Sequence, residues 1–215
     1  MLAPVTVSAP SFTAVLFGLS GCLVDFGAQA RLIKIKESQQ IVSAQASTQA
    51  ADYAIATPGA LTVLKNLRQQ GIPCAWIEEF PTVIAQTLAE PLRGWIEPAP
   101  QPHNRWPAPD ACWQALMSLN ASQLDGCVLI SGDPRLIASG LNAGLWTIGL
   151  ASCGPLCGTP PAQWEALTDS QREQLRTRAT LKLYEVGAHS VIDHLGELES
   201  CLADIALRRM KAEKP

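Results

Sequence analysis

The chain has 215 residues with a formal net charge of −3, and 47% of its residues are hydrophobic. That length suits one large domain, or one domain with a small insert, and the apolar share lets roughly 70% of the unfolded surface be buried. The weak charge argues against nucleic acid or an anionic membrane as partner, no run of about 18 apolar residues calls for a transmembrane helix, and residues 1–13 lack the basic and apolar regions of a signal peptide.

Short apolar runs recur along the chain. Residues 13–17 form the first, ending at Gly18, and fit a strand buried on both faces. Residues 72–77, 127–131, 146–149 and 190–193 read the same way. Helical patterns lie between them. Pro58 and Gly71 bracket a helix over residues 60–70. Pro109 and Asp110 open a second, with Ala111, Cys112, Ala115, Leu116 and Leu119 on one face. Pro134 opens a third, closing near 140–144; residues 164–183 are helical and charged, and 195–211 form a final amphipathic helix whose basic end suits its dipole. Alternating strands and helices predict an α/β fold on a doubly wound parallel sheet. Ligands of such sheets bind beyond the carboxyl ends of the strands, so the residues there are the ones to read for function.

Two segments break the pattern. Residues 31–56 are polar, rich in Gln, Ser and Ala, and read as a loop or short helix inserted after the first strand. Residues 97–109 hold five prolines and read as a stiff, extended connector. The seven cysteines are scattered. Cys22, Cys74, Cys112, Cys127 and Cys201 read as small buried hydrophobes of a reducing, cytoplasmic compartment. Cys153 and Cys157 lack the closely spaced partners of a zinc site. Trp76, Trp95, Trp106 and Trp113 sit at strand-end, connector or helix positions, where tryptophan can serve either packing or contact with a partner.

The segment AVLFGLSGCLVDFG at residues 14–27 resembles the first motif of the haloacid dehalogenase-type hydrolases, and is most similar to the phosphonoacetaldehyde hydrolases among them. Four further segments follow in matching order: residues 58–77 resemble the second motif, WPAPD at 106–110 the third, SGD at 131–133 with GLNAGLWTIG at 140–149 the fourth, and GAHSVID at 187–193 the closing segment. The resemblance implies that family's core over residues 1–215, with a short remnant at 28–57 where its relatives carry a cap domain, and so little or no cap.

The resemblance also implies which positions would do chemistry. The family's nucleophilic, magnesium-ligating Asp after the first strand corresponds to Gly18, which can neither attack nor ligate. Two positions on stands Ser20, a hydrogen-bond donor but a poor general acid. The hydroxyl expected after the second strand is replaced by Glu78, followed by Glu79; an acid there repels phosphate. The third-motif cation corresponds to Trp106, with Arg105 adjacent as a candidate substitute. Asp133 remains from the fourth motif, while its second acid has no counterpart. Cofactor expectations are therefore none, or weakly bound Mg2+ on Asp133. Asp25 reads as a turn or cap acceptor, Lys34 and Lys36 as solvated charges rather than a Schiff-base site, and His189 as a hydrogen-bonded structural residue. Three readings stay open: a pseudoenzyme that binds a small molecule or a protein, a divergent metal-assisted hydrolase or phosphatase rebuilt around Glu78, Glu79, Arg105 and Asp133, and a regulatory subunit that dimerises through the insert.

Overall fold

A computed structural model describes residues 11–33 and 44–215. Lys34 and Lys36 lie outside them. Six parallel strands form one sheet. Strand β1 (Ala14–Gly18) is followed by a 3-10 turn at Gln29–Leu32 and by helices α1 (Ala44–Asp52) and α2 (Ala60–Gln69). Then come β2 (Cys74–Ile77), α3 (Thr82–Leu88), the two-residue edge strand β3 (Glu97–Pro98) and α4 (Asp110–Ser118). The second half runs β4 (Cys127–Ser131), α5 (Pro134–Asn142), β5 (Trp146–Leu150), α6 (Pro161–Ala166), α7 (Asp169–Val186), β6 (Ser190–Ile192) and α8 (Leu198–Met210).

The strand order is β3-β2-β1-β4-β5-β6. The order reverses between β1 and β4, and the crevice beyond their carboxyl ends is where ligands of such sheets bind. The apolar runs become strands because both faces are covered. Val15 and Phe17 face one core with Val128, Ile130, Trp146 and Ile148. Ala14 and Leu16 face the other with Ala75, Ile77, Cys127 and Leu129. This is the period of two that a pleated strand imposes.

The insert contains the short helix α1. The charged stretch at 164–183 is two helices rather than one. Thr168 stops the first and caps the second, its side chain accepting the Gln171 amide while Gln171 accepts the Thr168 amide. No helix among the described residues is long and apolar enough to cross a membrane.

Candidate functional site

The ends of β1, β2 and β4 deliver groups to the switch point. Gly18 closes β1, and a Cβ there would lie 2.9 Å from Ser131 Oγ and 3.3 Å from Leu136 Cδ2. The volume a larger side chain needs is therefore filled by β4 and α5. Ser131 is itself engaged, its Oγ accepting the Asp133 amide at 3.0 Å.

Beyond Gly18, the Ser20 amide donates to Glu78 Oε2 at 3.1 Å, and the Glu79 amide donates to Glu78 Oε1 at 2.8 Å. The carboxylate of Glu78, 3% exposed, thus takes two backbone N–H groups aimed into the crevice. Burial pushes the Glu78 carboxyl above its ordinary value, against the pull of Arg31 and the two amides. The Ser20 hydroxyl donates to Asp25 Oδ2 at 2.6 Å, and Asp25 also accepts the amides of Gln29 and Ala30. Asp25 is buried and holds the first two amides of the 3-10 turn, whose N-cap residue is Ala28, and burial raises its carboxyl too.

Asp133 follows β4 and is the N-cap of α5, accepting the Arg135 amide on Oδ1 at 2.7 Å, with Pro134 at the first helical position. Its Oδ2 meets Arg31 Nη2 at 2.8 Å and Arg135 Nη2 at 3.3 Å. Arg135 Nη1 also reaches Glu79 Oε2 at 3.2 Å. Trp106, buried, lies close to both cations, with the Arg31 guanidinium carbon 5.8 Å and that of Arg135 5.5 Å from its ring centre. The Trp106 amide donates to Glu79. Arg31 Nε and Trp106 Nε1 are buried and meet no acceptor among the described residues.

The structure thus brings Gly18, Ser20, Glu78, Trp106 and Asp133 to one crevice. Arg105 is exposed on the connector; the cations that reach the carboxylates are Arg31 and Arg135. Arg31 turns inward instead of joining a solvated face, and no local pattern marks it, because its partner lies about a hundred residues away in the chain.

The residues do not fit a magnesium ion. Mg2+ needs carboxylate oxygens free to coordinate it. Both oxygens of Asp133 and both of Glu78 are engaged by N–H donors, and position 18 has none to offer. Among the described residues no group of three or more His, Cys, Asp or Glu could hold a metal.

The remaining candidates are structural. His189 Nδ1 accepts the Thr147 amide at 3.0 Å, and its ring packs 4.9 Å from that of Trp146. Cys22 is fully buried and its thiol is pushed well up by that burial, which disfavours the nucleophilic thiolate. All seven cysteines are free; burial raises Cys153 to about 12 and Cys157 to about 11.

No family model matches the chain. In sequence it is similar to the phosphonoacetaldehyde hydrolases of Bordetella avium, 30% identical over 171 residues, covering 77% of this chain and 61% of that protein, and of Salmonella typhimurium, 30% identical over 177 residues, covering 76% and 64%. The chain spans less than two thirds of these curated relatives. Among solved structures, one that is 63% identical covers 95% of this chain and 100% of its own at a TM-score of 0.86. A phosphonoacetaldehyde hydrolase like protein from Oleispira antarctica, 21% identical, shares the fold over 100% of both chains at a TM-score of 0.84. The chain has the haloacid dehalogenase-like fold and is similar in sequence to phosphonoacetaldehyde hydrolases.

Proposed function

We propose that this chain is a pseudoenzyme of its superfamily, a binding or regulatory scaffold that keeps the hydrolase core without the chemistry. One observation carries the reading: at the switch point Gly18 supplies no nucleophile, and the carboxylates of Glu78, Glu79 and Asp133 are held by the chain's own amides and arginines. Glu78, Glu79 and Asp133 share the place with Arg31 and Arg135, so a further anion such as a phosphate ester meets arginines already paired with carboxylates. The buried donors Arg31 Nε and Trp106 Nε1 support a binding role, since a neutral oxygen acceptor would satisfy them. The partner on this reading is a small molecule or a protein, and the short insert at 28–57, in place of a cap, is the surface for a second copy of the chain.

The test is turnover. Purified protein with Mg2+ is given phosphonoacetaldehyde and a generic phosphate ester, and release of inorganic phosphate is followed. No release above the uncatalysed rate is expected. Robust, metal-dependent release abolished by Asp133→Ala would overturn the proposal in favour of a divergent metal-assisted hydrolase.

A further inference from the structure

A cavity of about 630 Å3 opens beside the insert, between it and the segments that follow β5. It shares Asp25, the partner of Ser20, with the switch-point network, but none of Gly18, Ser20, Glu78, Trp106 or Asp133 lines it. Its volume is in the range of small-molecule sites, roughly 300–1,000 Å3. Three aromatic rings line it: Phe26 from the turn after β1, Tyr53 just beyond α1, and Trp164 on α6. Phe26 and Trp164 pack with ring centres 5.7 Å apart, tilted by 58°, so the turn after β1 and α6 each contribute a ring to the lining.

The charges on the lining decide the kind of ligand. Arg172 is bound by Asp169, and Arg176 by both Glu173 and Asp193. The guanidinium ends of both arginines are thus paired with carboxylates of the protein, while Arg176 Nε is buried and meets no acceptor among the described residues. Asp52 and Glu165 line the same cavity, are exposed, and form no ion pair among the described residues. Aromatic faces carry negative electrostatic potential and attract organic cations; the exposed carboxylates of Asp52 and Glu165 add to that attraction.

We propose that this cavity binds an organic ammonium ion on an apolar body, its cationic head set against Phe26, Tyr53 and Trp164 and facing Asp52 and Glu165. Tyr53 and Asp52 come from the insert, whereas Trp164 and Glu165 come from the core. Such a ligand bridges the two and holds the insert against the sheet.

The test is calorimetric titration of the full chain with benzyltrimethylammonium, and with benzoate at the same ionic strength. The expected result is saturable one-to-one binding of the cation, none of benzoate, and an affinity lowered about tenfold in Trp164→Ala, the order of one good cation–π contact. Glu165→Lys changes an exposed residue and keeps the test decisive if Trp164→Ala fails to fold; it is expected to weaken the cation at least as much. The proposal is overturned if benzyltrimethylammonium does not saturate at millimolar concentration, if both variants bind it like the parent, or if benzoate binds and is lost in Arg172→Ala.

Discussion

Arg31 and Asp133, from opposite halves of the chain, meet at 2.8 Å, with the Arg31 guanidinium carbon 5.8 Å from the Trp106 ring centre. The Asp133 side chain is 5% exposed and that of Arg31 23%. This pair connects the insert to the loop after β4 and engages Oδ2 of Asp133.

Removing one partner of a buried pair leaves an uncompensated charge. Arg31→Ala is expected to cost about 3 kcal/mol, softened by Arg135, which still contacts Asp133. Arg93→Ala, which removes an exposed pair with Glu90, should change stability by about 0.5 kcal/mol or less. Urea unfolding of the two variants beside the parent measures the difference; equal midpoints would show that Arg31 is not inserted as described.

Gly18→Asp puts a side chain against Ser131 and Leu136 and adds a carboxylate to a buried, already acidic cluster. A loss of about 3 kcal/mol is expected. Ser131→Gly in the same chain removes the nearest atom and should recover part of it, as seen by thermal unfolding. Neither variant should release phosphate, because Asp133 stays bound to its arginines.

The buried carboxyl of Glu78 sets a pH dependence. Burial, the largest influence, raises its folded value above the unfolded one, about 4.3 for glutamate. Between these values the folded protein holds more protons than the unfolded chain, so this group's contribution to stability falls as pH rises through the window. Glu78→Gln cannot titrate. Asp25, also raised, stays in both proteins and cancels in the difference. The parent should therefore lose stability relative to Glu78→Gln as pH climbs from about 4.3, and the difference should level off above the folded value. Denaturant titrations at a series of pH values give this directly; a difference that is flat, or of opposite slope, contradicts it.

Gly132 and Gly154 bring the loops after β4 and β5 into backbone contact. A Cβ on Gly132 would lie 2.5 Å from Gly154 Cα and 2.8 Å from Gly21 O. Backbone cannot step aside as a flexible side chain does, so Gly132→Ala is expected to cost about 3 kcal/mol. Gly71 has a positive φ but open space around it, and Gly71→Ala should cost only about 1 kcal/mol. Comparing their melting temperatures checks the ranking.

Much of the fold is legible in the sequence because its signals are local. The strand runs 127–131 and 190–193 come within a residue of the observed strands, since burial on both faces leaves an uninterrupted apolar stretch. Helix α3 has no side-chain cap and only seven residues, so little marks it. The break before α7 was written in Thr168 and Gln171, a capping pair, but the continuous charge around it masks the boundary. At the site, Glu78 and Asp133 are readable because they follow strands. Arg31 and Arg135 are not, because what places them is contact across the chain: an arginine in a polar insert looks solvated until Asp133 and Trp106 are set beside it.

Magnesium binding by the unmodified protein, measured by calorimetry near neutral pH, tests the central claim most directly. With the carboxylates of Glu78 and Asp133 engaged by the chain's own donors, no saturable binding is expected at millimolar metal. Stoichiometric binding at the switch point, lost in Asp133→Ala, would contradict it.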